Sequence, residues 1–117
     1  MDGDWTAMTT AFSAKLKELR GDAPDMMKGF ASLAQAALKP SALDVKTKEL
    51  IALAIAVATR CDPCIAFHAQ GAAKRGASRE EILETMSMAV YMGAGPSVMY
   101  AAKAVEAFDE FHAPAPA

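Results

Sequence analysis

Four residues within the run ELIALAIAVATRCDPCIAFH could do chemistry together: Glu49, Cys61, Cys64 and His68. They include both cysteines of the chain and one of its two histidines, in surroundings that are otherwise almost entirely apolar. Side chains three and four residues apart stack on one face of a helix, so Cys61, Cys64 and His68 can meet if a helix starts near Asp62. A thiol at a helix N-terminus faces unpaired backbone N–H groups and the positive end of the dipole, and both favour thiolate. An imidazole one turn further on can take the Cys64 proton directly or through one water. Glu49 lies roughly 18 Å back along the preceding helix and reaches the thiols only if the two helices fold back as a hairpin. A carboxylate in so apolar a stretch needs a partner, and a histidine is the obvious one. A Glu–His–Cys relay would orient the imidazole and stabilise its charged form.

Each residue also has a plainer reading. The CxxC pair could be two small buried groups, Glu49 could pair with Lys46 or Lys48, and His68 could be a satisfied core or surface histidine. Two further chemistries use the same side chains. Cys61, Cys64 and His68, with Glu49 as a fourth ligand, fit the donor set of a zinc site, though ligands on one short helical run constrain the angles poorly. A non-redox protein would instead use Glu49 and His68 on a small lactone or acid.

The elements that must position these residues read as six helices and no strands, an all-α fold. Trp5, Met8, Phe12, Leu16 and Leu19 form an apolar stripe from Trp5 to Leu19 that Gly21 closes. Asp22 then serves as an N-cap with Pro24 in the first turn, and the stripe Met26, Met27, Phe30, Leu33, Ala34, Ala37 and Leu38 continues to Pro40, with both methionines as core filler. Ser41 and Asp44 mark the start of a long helix, about Leu43 to Arg60, whose last three turns are apolar all round and therefore expected to be buried on every side. Asp62 can cap the next helix, with Pro63 in its first turn, and Gly76 ends it. Ser78 and Glu81 have capping-box spacing and open a helix with Ile82, Met86, Ala89 and Val90 inward. After a turn over Gly93 to Gly95, Pro96 starts a last helix to about Phe111. Its expected apolar face is Val98, Ala101, Ala102, Val105 and Phe108, with Lys103, Glu106, Asp109 and Glu110 outside.

At 117 residues the chain is one domain, 1–117, with ends expected to fray over about 1–4 and 112–117. Hydrophobic residues make up 53% and aromatic ones only 7%, a mixture of helix formers whose many alanines allow close approach but bury little area each. Burial between subunits would supply what one copy lacks. A net charge of −2 and the lack of a basic stripe argue against nucleic acid or an anionic membrane as partner. MDGDWTAMTT has neither a positive n-region nor an apolar core, so no secretory signal is expected. The longest apolar run is about ten residues where a membrane span needs roughly 20. A soluble, cytoplasmic protein is the expectation, and there a CxxC pair is more often reactive or metal-binding than a structural crosslink.

The pattern formed by Glu49, Cys61, Cys64 and His68, continued in CDPCIAFHAQGAAKRGASREEI, resembles the signature of alkylhydroperoxidase D-like proteins in the carboxymuconolactone decarboxylase family. The resemblance runs from about Leu43 to Phe108, and the short chain is similar to the small single-repeat branch. It implies an all-helical bundle around a hairpin that carries the CxxC motif, assembled as trimers or hexamers. It further implies a thiol peroxidase or disulfide reductase with no bound cofactor, re-reduced by an outside lipoyl- or thioredoxin-like dithiol. Carried onto this chain, Cys64 would attack a hydroperoxide and become a sulfenic acid, Cys61 would resolve it to a disulfide, and His68 with Glu49 would relay protons. The best-known peroxidase member has a histidine between its cysteines where this chain has Pro63. Decarboxylase members lack the CxxC pair, so its presence argues against decarboxylation.

Overall fold

The computed structural model describes residues 4–113, which form six α-helices and, among the described residues, no strand. These are α1 (Trp5–Asp22), α2 (Pro24–Leu38), α3 (Val45–Ala58), α4 (Asp62–Lys74), α5 (Arg79–Gly93) and α6 (Ser97–His112). Helices α3 and α4 pack closely as an antiparallel hairpin, α5 and α6 cover it, and α1 lies across α4 and α6. Leu53 and Val57 of α3, Ile65, Ala66, Ala69 and Ala72 of α4, Ile82 and Met86 of α5, and Phe108 of α6 fill the core. Alanines at the α4 and α6 contacts let the backbones approach, so the small side chains noted in the composition set the spacing of the hairpin.

Local chemistry accounts for most helix ends. The Asp44 carboxylate accepts from the Thr47 N–H at 2.7 Å, which makes Asp44, not Ser41, the cap of α3 and holds its carboxyl below the ordinary value of 3.8. At Ser78 the expected capping box is complete: its hydroxyl accepts from the Glu81 N–H and its own N–H donates to the Glu81 carboxylate. Two helices end in the same reciprocal pair of backbone bonds. After α3, Cys61 N–H donates to Ala56 and Arg60 N–H to Val57; after α4, Ala77 N–H donates to Ala72 and Gly76 N–H to Ala73. The motif requires positive φ at its turning residue, and the φ values are +60° at Arg60 and +83° at Gly76. Glycine takes this conformation freely, whereas arginine does so at a cost.

Several expectations are corrected. Gly21 does not end α1, which runs on to Asp22; the break falls at Ala23, so Asp22 is no cap and α2 starts at Pro24 with no side-chain cap. Asp4 and His112 were expected in frayed ends, yet Asp4 caps α1 through the Ala7 N–H and His112 stacks on Phe108 with ring centroids 4.9 Å apart. Ala113 donates its N–H to the Asp109 carbonyl, and the rest of those ends, 1–3 and 114–117, lies outside the described residues. On α6 the buried face is Ser97, Ala101, Ala104, Ala107 and Phe108, rotated from the expected one, because alanines can lie on either edge of a stripe. Val98 and Ala102 are exposed instead, while Lys103, Glu106 and Glu110 are drawn in by polar partners. The stripe on α2 forms but buries nothing, and Met26 is exposed rather than core filler. Nor is α3 covered on every side, since Ile51 and Ile55 face outward.

Candidate functional site

Helix α4 begins at the disulfide that joins Cys61 and Cys64, whose Cα atoms are 5.2 Å apart. Cys61, not Asp62, is the N-cap: its Sγ accepts the Cys64 N–H at 3.3 Å, a role usually filled by a side-chain oxygen. Asp62 and Pro63 occupy the first turn, where proline costs no helical hydrogen bond. Released from capping, the Asp62 carboxylate takes the Lys103 ammonium from α6 at 2.8 Å, and that bond, more than the accompanying charge attraction, raises the Lys103 pKa above 10.5. Lys103 also sits 4.8 Å from the centre of the Tyr100 ring, a cation–π contact. The other Asp62 oxygen, Oδ1, is buried without a partner. Sequence reasoning placed Lys103 on an outer face and so missed that it ties the first turn of α4 to α6.

The hairpin brings Glu49 back to the start of α4, as a fold-back requires. Its Oε2 lies 2.9 Å from Nδ1 of His68, on the same face of α4 as Cys64 one turn earlier. Glu49 is one of three buried polar residues among those described, and its side chain is only 10% exposed against 32% for His68. The plainer pairing with lysine is excluded: Lys46 goes to Glu81 at 2.9 Å and Lys48 donates to the Lys39 carbonyl. With Nδ1 on the carboxylate, Nε2 is the nitrogen left for Cys64 or for a ligand. A buried carboxylate on one nitrogen of an imidazole that shares its helix face with Cys64 makes an arrangement able to hold and move a proton beside a dithiol. Among the described residues no group of three His, Cys, Asp or Glu is arranged to hold a metal ion, and sulfurs joined in a disulfide are not thiolate ligands. No helix of the described residues is long and apolar enough to cross a membrane.

With this geometry in view, the comparisons with known proteins converge. Residues 24–107 match the model of the carboxymuconolactone decarboxylase family. A solved carboxymuconolactone decarboxylase family protein from Legionella pneumophila is 56% identical, with 93% of this chain and 97% of that one covered at a TM-score of 0.90. Another, from Thermotoga maritima, is 33% identical over 87% of each chain with a TM-score of 0.79, and carries the suggestion of an involvement in antioxidative response. An uncharacterized protein of Cupriavidus necator is 38% identical over 113 residues, covering 91% of this chain and all of its own.

Proposed function

The chain belongs to the carboxymuconolactone decarboxylase family, and on that premise we propose that it is a thiol-dependent oxidoreductase reducing hydroperoxides, or disulfides, through a Cys61–Cys64 dithiol/disulfide cycle. The observation that carries this reading is the contact of buried Glu49 with the partly exposed His68 on the helix face that starts with the cysteine pair. The antioxidative suggestion attached to the Thermotoga maritima protein agrees with it.

In the reduced enzyme, neutral His68 donates Nδ1–H to Glu49 and accepts the Cys64 proton at Nε2. The Cys64 thiolate attacks the terminal oxygen of the hydroperoxide; an S–O bond forms, the O–O bond breaks, and the alkoxide leaves with the electron pair. The imidazolium returns its proton to that alkoxide, giving the alcohol, and Cys64 is left as a sulfenic acid. Cys61 attacks this sulfur, the S–O bond breaks, and hydroxide leaves to become water with the Cys61 proton. The Cys64 N–H directed at Cys61 Sγ would favour the thiolate form of that sulfur before it attacks. An outside dithiol, lipoyl- or thioredoxin-like, then exchanges with the disulfide and is itself oxidised.

Titration of thiols after one equivalent of hydroperoxide tests the cycle. Both thiols of the wild type should disappear, and a sulfenic acid should be trapped in Cys61→Ser but not in Cys64→Ser. If both thiols survive, the peroxide cycle is wrong. Trapping in Cys64→Ser alone would reverse the two roles.

The working unit is a homo-oligomer, a trimer or hexamer, in this reading. Its support is an apolar belt on α2, α3 and α5 that one copy leaves uncovered, including Phe30, Leu33, Ile55 and Met92, all more than half exposed.

A further inference from the structure

Gly71 lies inside α4, three residues past His68 and on the same face, among Ala69, Ala72 and Ala73. Glycine is a poorer helix former than any of these alanines, and nothing in the backbone asks for it, since among the described residues the only glycine with positive φ is Gly76. The reason is across the hairpin. A Cβ at position 71 would stand 2.6 Å from Cδ of Glu49 and 3.2 Å from Oε1, with Oε2 nearer still. Gly21, Gly29, Gly76 and Gly95, by contrast, would have nothing within 4 Å of such a carbon. The volume an alanine methyl would fill is therefore the volume the Glu49 carboxylate occupies while its Oε2 meets His68 Nδ1.

We infer that Gly71 is a positioning residue for the relay: the missing side chain is the seat that holds the Glu49 carboxylate against His68 and so decides which imidazole nitrogen carries the proton. Glu49 has little room to retreat, being buried with an 10% exposed side chain in a helix packed on α4. A methyl at position 71 displaces the carboxylate from Nδ1, and the imidazole loses the acceptor that fixes its Nδ1–H form. Gly71 touches no reacting atom in this scheme. Its consequence for turnover rests on the redox reading above; its consequence for Glu49 and His68 does not.

The test is imidazole nitrogen NMR of neutral His68, with its signals assigned by a His112 variant, in wild type, Glu49→Ala and Gly71→Ala. Wild type should show mainly the Nδ1–H form, and both variants should shift towards Nε2–H. Gly71→Ala with the wild-type pattern overturns the inference. Thermal unfolding provides a second readout that does not depend on the single variant being well behaved. Gly71→Ala should lower Tm by on the order of 4 °C in wild type, yet leave Tm unchanged or raise it in Glu49→Ala, where the methyl has room and alanine favours the helix. An equal fall in both backgrounds means that Gly71 serves packing alone and sinks the proposal. Failure of the redox reading appears elsewhere, as wild-type thiols that survive peroxide, and leaves both of these readouts standing.

Discussion

At the scale of single residues, the pairing of Glu49 with His68 was legible because a carboxylate in an apolar run has few tolerable partners, and here the nearby lysines are taken by others. What was not legible was the identity of the cap. Asp62 has the side chain expected at an N-cap, but Cys61 holds that position because the backbone bonds that close α3 end on it, one residue earlier. That closure also puts Arg60 in the left-handed region beside the disulfide, while the equivalent turn after α4 uses Gly76. The contrast yields a paired prediction. Arg60→Gly should stabilise the oxidised protein by about 1 kcal/mol, since the left-handed conformation costs a side chain of this kind roughly that amount. Gly76→Ala should destabilise by a similar amount. Denaturant unfolding of both variants against wild type checks it, and Arg60→Gly at or below wild-type stability would show that the arginine side chain contributes more than its backbone costs.

Among the elements, helix identity followed from periodicity and stop signals, and the ends that were misplaced are those where a signal had a competitor. Gly21 was overridden because α1 continues by one more set of backbone bonds to the Leu19 carbonyl before Ala23 breaks it. On α6, acidic residues placed outside in fact anchor α1. Trp5 donates its indole N–H to Glu106 at 2.7 Å, and the N–H groups of Trp5 and Thr6 with the Thr6 hydroxyl converge on Glu110. Burial pushes the Glu110 carboxyl up, but the hydrogen bonds from Thr6 and Trp5 outweigh it and leave the group below its ordinary value of 4.5. A carboxyl lowered by folding adds stability that is fully present above its unfolded value and lost as pH falls through the folded one. The attachment of α1 should therefore hold above about pH 4.5 and loosen below it. Trp5, the single tryptophan and 3% exposed, reports this directly: its emission should move to the red on acidification before helical signal is lost. In Glu110→Gln the red shift should already be partly present at pH 7 and depend less on pH. A tryptophan that stays buried until the whole chain unfolds would refute the α1 anchor.

For the whole molecule, the sequence showed which stripes are apolar but not which of them one copy can cover. The assumption that an all-apolar helix is buried on every side fails at Ile51 and Ile55, and the stripe of α2 buries no residue at all. These surfaces adjoin. A shallow groove between α2 and α3, lined by Leu38, Ile51 and Ile55, meets another between α3 and α5, lined by Ile55, Met88 and Met92, and Ile55 belongs to both. A contiguous apolar belt of this kind is unfavourable in water and marks a contact surface. Its occupant in the proposed assembly is another copy of the chain, whose own α2 offers the matching stripe of Met26, Phe30 and Leu33. Wild type should then sediment at three or six times the 12.3 kDa chain mass, and Ile55→Glu should shift it towards smaller species. Because Ile55 is 57% exposed in one copy, a glutamate there costs the isolated fold little, so helical circular dichroism should stay close to wild type while the mass falls. A monomeric wild type at micromolar concentration, or an Ile55→Glu variant with unchanged mass, would remove the belt from the assembly. The outer side of α3 would then need another partner to explain why the helix that carries Glu49 is apolar on the face turned away from it.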